Sequence, residues 1–324
     1  MDYDWSSLEE LRSTYLDGTA GKADYWSGET LLAGYDVTFA RRIAWKWHFV
    51  FQDLARLGWT PPPECPVLDW GCGTGVAVRE FLKAWPEAGG AGVRLFDRSP
   101  KAMRFASGAV SREFPDVNVS LGVPTEDGFI LLLSHVLTEL SDPAVAELQK
   151  LAERASAVLW VEPGTSAASH RLVQAREKLR ATFYPVAPCT HCEGCGLLAP
   201  GHEQDWCHFF ATPPSEVYTD GEWVRFGREM GIDLRSLPLS YLVLDRRAPA
   251  SATSLPDGTV RVVGRHRLYK GHAQLDACDA SGVHERRFTK RTDPAFFRAM
   301  NKHRTGTLQQ WTLDGNEVTS LKEL

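Results

Sequence analysis

The chain has 324 residues and a mass of 36.1 kDa, enough for about two domains or one large domain with insertions. Its composition, 43% hydrophobic and 24% charged, excludes a disordered, collagen-like or low-complexity protein. No apolar run approaches the roughly 18 residues of a membrane helix, and the acidic, aromatic N-terminus lacks a leader pattern. We therefore expect a cytoplasmic protein, a monomer, with no membrane partner.

Charge is distributed unevenly along the chain. Residues 246–324 carry 14 Lys and Arg against 8 Asp and Glu, whereas residues 1–245 carry 22 against 33. An acidic body with a basic C-terminal part favours binding of a polyanion, although a plain solvated surface gives the same pattern.

The first strong hydrophobic pattern predicts one long amphipathic helix over residues 29–58, where apolar residues recur at spacings of three and four. The prolines at 61–63 end it, because proline has no N–H to donate within a helix. We therefore expect a helical N-terminal region over residues 1–62.

Short apolar runs then alternate with helical stretches. The predicted strands are 67–69, 93–96, 117–121, 129–133, 157–161 and, further along, 239–244. Strand and helix in series predict parallel pairing with right-handed crossovers, and hence a doubly wound α/β sheet. We assign this Rossmann-like core to residues 63–184, with its remainder at 215–250.

A glycine-rich turn follows the first predicted strand, where residues 67–75 read Val-Leu-Asp-Trp-Gly-Cys-Gly-Thr-Gly. Gly71 and Gly73 allow a tight turn and close approach of a ligand, and the start of the next helix offers free N–H donors. Asp97 ends the second strand, where a carboxylate suits the two ribose hydroxyls of a nucleoside.

This Gly-x-Gly-x-Gly spacing resembles motif I of the class I S-adenosylmethionine-dependent methyltransferases, over about residues 65–165. The resemblance implies S-adenosylmethionine as cofactor. It also implies the residues that hold it: Asp69, Gly71, Gly73 and Gly75 around its amino-acid part, and Asp97 on its ribose. The alternative is a Rossmann-type domain that has lost its ligand.

The sequence names no catalytic residue for methyl transfer. The Asn/Asp-Pro-Pro-aromatic motif of base N-methyltransferases is absent after the fourth strand, where residues 134–140 read Ser-His-Val-Leu-Thr-Glu-Leu. His135 or Glu139 could accept a proton, but each fits a capping or packing role better. Methyl transfer can also proceed by proximity alone.

Residues 185–214 break the α/β rhythm and hold four of the seven cysteines. An odd number of cysteines without a secretory signal disfavours disulfides, whereas clustered thiolates favour zinc or iron–sulfur. The run Cys189-x2-Cys192-x2-Cys195, with Cys207 beyond it, is typical of ferredoxin-type loops whose fourth ligand lies elsewhere. Zinc sites usually show two separated pairs, so the spacing slightly favours iron–sulfur over zinc.

From about residue 65 to 280 the chain resembles the methyltransferase-like assembly factors of the small ribosomal subunit, known from mitochondria and some bacteria. The matching pieces are Val67–Gly75, Glu162–Thr165, Ala187–Cys189, His191, Cys195, Asp205–Phe209, Lys270–His272 and Cys278. The departures are Thr190 and Gly196 in place of prolines, Thr138 in place of an asparagine, and Phe210–Thr212 in place of Ser-x-Arg.

This resemblance implies a [4Fe–4S] cluster on Cys189, Cys195, Cys207 and Cys278, so that Cys278 is chosen over Cys192. It also implies the small ribosomal subunit and its 16S-type rRNA as partner. The insertion at 185–214 is then the cluster-binding segment.

In the last part of the chain, residues 251–324, the sequence pattern predicts short strands separated by turns. Between Arg261 and Arg304 it carries 11 Lys and Arg against 4 Asp and Glu. Such clusters suit RNA phosphates, and a solvated surface is the alternative.

Together these features predict a methyltransferase-like protein that uses S-adenosylmethionine, carries an iron–sulfur cluster and acts on small-subunit rRNA in ribosome assembly or translation. One alternative is a non-catalytic assembly factor of the same fold. The other is a small-molecule methyltransferase with a structural zinc site.

Overall fold

The computed structural model describes residues 4–17, 24–248, 255–302 and 305–324, so the domain boundary expected at residue 251 lies outside the described residues. Three helices precede the sheet: α1 Trp5–Leu16, α2 Glu29–Val37 and α3 Phe39–Arg56. No helix within these ranges is long and apolar enough to cross a membrane.

The prediction of a single helix over residues 29–58 is wrong, because the helix is interrupted at Thr38, between α2 and α3. The Thr38 side chain donates its hydroxyl to the Gly34 carbonyl at 2.6 Å, while its backbone N–H donates to Tyr35. The hydroxyl thus bonds the Gly34 carbonyl, which the Thr38 N–H would bond in a continuous helix. The spacing of apolar residues does not reveal this competition.

The central sheet contains eight strands. They are β1 Val67–Trp70, β2 Val93–Phe96, β3 Val119–Leu121, β4 Ile130–Ser134, β5 Ala157–Pro163, β6 Tyr184–Ala187, β7 Phe209–Ala211 and β8 Leu237–Asp245. Their order is β3-β2-β1-β4-β5-β8-β6, and β7 pairs with β8. The first five pair in parallel, whereas β8 runs antiparallel to β5 and β6. This is the doubly wound, class I methyltransferase type of sheet that the sequence predicts.

Six helices accompany these strands: α4 Val76–Ala84, α5 Pro100–Glu113, α6 Asp142–Ala152, α7 Ser166–Leu179, α8 Glu216–Thr219 and α9 Gly221–Glu229. Alternate residues of β4 show that the sheet is covered on both faces. Ile130 and Leu132 belong to one hydrophobic cluster, and Leu131 and Leu133 belong to another. A strand buried on both sides reads as the continuous apolar run seen in the sequence.

The C-terminal part forms a small closed β-barrel. Its elements are β9 Thr259–Leu268, β10 His272–Asp279, β11 Gly282–Thr289, α10 Pro294–Asn301, β12 Leu308–Asp314 and β13 Glu317–Glu323. The strands close in the order β10-β11-β13-β12-β9. Phe288, Trp311 and Val318 fill its interior as part of a third hydrophobic cluster.

A buried ion pair attaches this barrel to the methyltransferase-like part. Arg261 of β9 donates to Asp53 of α3 at 2.9 Å and to the Pro188 carbonyl at 2.8 Å. The Arg261 side chain is 2% exposed and that of Asp53 is 3% exposed. Arg261 is therefore a structural cation, and the expectation that it contacts RNA phosphates is wrong.

Candidate cofactor and metal sites

The glycine loop connects β1 to α4 at the carboxyl edge of the sheet. Gly71, Gly73 and Gly75 all have positive φ, at 72°, 51° and 76°. A Cβ on Gly71 would lie 2.6 Å from a methyl carbon of Val136, whereas one on Gly73 would meet nothing within 4 Å. Gly71 is thus required by packing, and Gly73 faces open space.

Asp97, directly after β2, contacts this loop. One of its carboxylate oxygens accepts from Gly73 N–H at 2.9 Å, and the other accepts from Ser99 N–H at 2.9 Å. Burial raises the pKa of Asp97, although these two N–H groups act against the rise. Each oxygen keeps a further lone pair with which it can accept a hydroxyl.

Asp69 lies in β1, directly before the loop, and is fully buried. Its Oδ2 accepts from Val78 N–H of α4 at 3.2 Å, and its Oδ1 has no hydrogen-bond partner. Burial raises the pKa of Asp69 to about 7. The carboxyl group therefore supports the first turn of α4, with one oxygen left unsatisfied beside the loop.

Asp69, Asp97 and the glycine loop converge beside the point where the strand order reverses, between β1 and β4. In open α/β sheets, ligands bind in the crevice outside the carboxyl ends of the strands at such a point. This is the position at which the sequence predicts the cofactor.

Residues of the N-terminal segment lie over the same edge, which the sequence analysis missed. The Tyr25 hydroxyl donates to Glu139 at 3.1 Å, and the Arg98 guanidinium lies 5.1 Å from the centre of the Tyr25 ring. Ser99 donates its hydroxyl to Asp24 at 2.9 Å. Glu139, a candidate proton acceptor, is thus already engaged, and burial raises its pKa to about 7.

His135, the other candidate proton acceptor, directly follows β4 and has a left-handed φ of 57°. Its Nε2 lies 3.3 Å from the Nζ of Lys46 on α3. Burial, together with the Arg42 guanidinium, lowers the pKa of Lys46 to about 7, and burial lowers that of His135 well below its usual range. No sequence signal pairs these residues, because they meet only when α3 packs on the sheet.

The four predicted cluster ligands line one cavity of about 40 Å³ between the sheet and the barrel. Cys189 and Cys195 follow β6, Cys207 precedes β7, and Cys278 lies in β10. Cys192 is exposed and is not among the lining residues.

Two buried guanidinium groups, those of Arg176 and Arg261, also line the cavity. Arg176 Nε donates to the Cys189 sulfur at 3.2 Å, and the Cys278 sulfur lies 3.6 Å from His191 Nε2. Burial raises the pKa of Cys278 to about 12. Within the described ranges, no three or more His, Cys, Asp or Glu side chains are already arranged to hold a metal ion.

The basic surface predicted over residues 261–304 is only partly available. Besides the buried Arg261, Arg267 is engaged, because it pairs with Asp276 and Glu285 at 3.0 and 2.7 Å. Arg304 lies outside the described residues.

The sheet order and the glycine loop define a protein of the class I methyltransferase fold. Residues 55–309 match the family model described as mitochondrial small ribosomal subunit Rsm22. The chain belongs to this family, since the match spans well over half of its length. No curated protein matches the chain.

Two solved structures are similar to the chain. The plantazolicin methyltransferase BpumL, in complex with SAH, is 15% identical with a TM-score of 0.38, covering 75% of this chain and 98% of that one. The precorrin-6y C5,15-methyltransferase of Geobacter metallireducens GS-15 is 13% identical with a TM-score of 0.35, covering 60% and 85%. At these identities the similarity concerns the fold alone.

Proposed function

We propose that the protein binds S-adenosylmethionine at the glycine loop and methylates small-subunit rRNA during ribosome assembly or translation. The observation that carries this proposal is the contact of Asp97 with Gly73 beside the reversal of strand order. The family description, which names the small ribosomal subunit, supports the partner. We propose that the protein acts as a cytoplasmic monomer.

The residues present fit this cofactor. Asp97 would accept the ribose hydroxyls through its remaining lone pairs, and Gly71, Gly73 and Gly75 would let the loop approach the amino-acid part. The buried Oδ1 of Asp69 is an acceptor without a partner in the strand that leads into this loop. When bound, the cofactor supplies an activated methyl group on its sulfonium, and the loop and Asp97 position it.

A non-catalytic assembly factor of the same fold is the second candidate. It is favoured by the contacts of Tyr25 and Arg98 with Glu139, which engage a carboxylate that could otherwise accept a proton. Family membership favours both of these candidates over the small-molecule methyltransferase.

We further propose that Cys189, Cys195, Cys207 and Cys278 hold a [4Fe–4S] cluster, with zinc as the alternative. Support comes from the four cysteines, which line one cavity from three segments of the chain. The Arg176 guanidinium, which donates to the Cys189 sulfur, would stabilise that thiolate. Because the thiols are not already arranged as ligands, the metal would order them, and its binding would contribute to folding.

Calorimetric titration with S-adenosylmethionine tests the cofactor proposal. We expect the wild type to bind and Asp97→Ala to bind about 10- to 100-fold more weakly, since hydrogen bonds to a charged group are lost. Asp116→Ala, at an exposed acidic residue, is the matched control and should bind like the wild type. A folded wild type that does not bind, or equal affinity in Asp97→Ala, would refute the proposal.

A further inference from the structure

The C-terminal barrel has a recognisable topology. Around the barrel, starting from β9, the strands follow the order β9-β10-β11-β13-β12. Along the chain, α10 lies between β11 and β12. β11 and β13 pair in parallel, and the other neighbours pair antiparallel. A five-stranded barrel of the order 1-2-3-5-4 is the OB-fold, which binds oligonucleotides on strands 2 and 3 and on the loops between strands 1 and 2 and strands 4 and 5.

The corresponding surface of this chain consists of β10, β11 and the loops at 269–271 and 315–316. Backbone hydrogen bonds hold one loop against the second half of β11 and the other against the residue that follows β11. Lys290 N–H donates to the Gly271 carbonyl at 2.9 Å, and Arg287 N–H donates to the Asn316 carbonyl at 3.0 Å. The two loops and the strand face thus form one continuous surface, which we call the barrel face.

An exposed aromatic pair lies on this barrel face. The Tyr269 ring stacks on the His272 ring with centroids 4.6 Å apart and planes within 9°. Tyr269 is nevertheless 47% exposed. Its hydroxyl donates to Gln274 at 2.9 Å, and its N–H donates to the His272 carbonyl at 2.9 Å, so the ring is held in place. A fixed, exposed aromatic ring suits stacking of an unpaired base.

Exposed cations lie next to the aromatic pair, because Lys270 follows Tyr269, Arg287 is opposite Gln274 in the strand register, and Lys290 donates its N–H to Gly271. Within the described residues, none of them has a carboxylate ion pair, in contrast to Arg267 on β9. These cations are Lys270, Arg287, Lys290 and Arg291. Cations without carboxylate partners next to a stacking ring match the alternation of phosphate and base along a single strand.

We infer that the barrel face binds single-stranded RNA, with Tyr269 on His272 as the base-stacking platform and Lys270, Arg287 and Lys290 at the phosphates. The identity of the RNA as small-subunit rRNA rests on the proposed function, but binding to the barrel face does not require the cofactor. Double-stranded RNA is disfavoured, because its bases are already stacked on each other.

Fluorescence anisotropy of the full-length protein with a labelled oligouridylate of about 12 nucleotides tests this inference. Tyr269→Ala should weaken binding about 5- to 100-fold, and Tyr269→Phe should keep most of the affinity, since the ring provides the stacking. Tyr218→Ala is the matched control, because Tyr218 is 55% exposed but lies on α8. Lys290→Ala should reduce the slope of log affinity against log salt by about 0.7.

Three outcomes would overturn the inference: no binding by the wild type, equal affinity in Tyr269→Ala, or tighter binding of a blunt duplex of the same length. Calorimetry with S-adenosylmethionine on the same variants separates this inference from the proposed function. Tyr269→Ala should keep cofactor affinity, and Asp97→Ala should keep oligonucleotide affinity. Wild-type protein that binds the oligonucleotide but not the cofactor would refute the proposed function, and wild-type protein that binds the cofactor but not the oligonucleotide would refute the barrel-face inference.

Discussion

Lys46 carries a buried amine whose hydrogen-bond partner is an imidazole nitrogen rather than a carboxylate. It is 8% exposed, and the groups that face it are His135, Arg42 and Glu162. Because its pKa falls to about 7 in the folded protein, the unfolded chain binds a proton at Lys46 over a range of pH in which the folded protein does not. Lowering the pH from about 10 to about 7 therefore destabilises the fold, and the full penalty persists below pH 7.

The change in the free energy of unfolding caused by Lys46→Met should be more stabilising near pH 7 than near pH 10. The difference between the two changes should be about 2–4 kcal/mol. Packing changes are largely independent of pH, so the difference between the two pH values isolates the buried charge. Urea unfolding at both pH values measures it, with the exposed Lys150→Met as control. A Lys46→Met effect that is equal at both pH values would contradict a neutral Lys46.

The glycine loop offers a matched pair of substitutions. Gly73→Ala should destabilise the fold by only about 1–2 kcal/mol, the strain of a left-handed alanine, because its methyl group enters open space. It should still weaken S-adenosylmethionine binding, since that space would hold the ligand. Gly71→Ala should be more destabilising than Gly73→Ala, because its methyl group meets Val136. Thermal unfolding and calorimetry on both variants check this, and equal stabilities would contradict it.

At the scale of elements, the Asp53–Arg261 ion pair connects β9 of the barrel to α3. The Asp53 carboxylate also accepts from the Tyr241 hydroxyl at 2.6 Å, so it sits in a fully bonded buried network. Arg261→Met should lower the free energy of unfolding by about 3–5 kcal/mol, because Asp53 is left buried without its cation. Asp53→Leu combined with Arg261→Met should recover much of that loss. Arg261→Met stability close to that of the wild type would contradict the network.

The cluster proposal predicts different behaviour for two neighbouring cysteines. Cys207→Ala should lower iron and sulfide content in protein purified without oxygen, and should make the barrel more sensitive to protease, because the link between residues 189–207 and β10 is lost. Cys192→Ala, at an exposed position away from the cavity, should keep both properties. Unchanged iron and protease resistance in Cys207→Ala would refute the cluster, and stoichiometric zinc without sulfide would establish the zinc alternative.

Elements with a strong local pattern were predictable, and those that depend on distant contacts were not. The apolar runs at 67–69 and 129–133 correspond to β1 and β4, because strands buried on both faces are marked by their own residues. The run at 93–96 corresponds to β2. The break at Thr38 depends on one hydroxyl. The Lys46–His135 pair depends on how α3 packs against β4, which no local pattern records.

At the scale of the whole molecule, the cysteine cavity lies where the methyltransferase-like sheet meets the barrel. Cysteine spacing alone left zinc and iron–sulfur open, and the family resemblance pointed to Cys278. The structure places Cys278 on β10 facing the same cavity as Cys189, Cys195 and Cys207. The OB-type closure was not predictable from short strands and turns, because strand order is set by pairing across the chain. A metal in this cavity would couple the methyltransferase-like sheet to the barrel.

The measurement that tests the central claim most directly uses anaerobically purified protein, labelled S-adenosylmethionine and immature small ribosomal subunits. The proposed function predicts label in the small-subunit rRNA, and its loss with Asp97→Ala while Asp116→Ala retains it. Unlabelled rRNA, from wild-type protein that binds both the cofactor and the particle, would contradict methyl transfer and favour the assembly factor of the same fold.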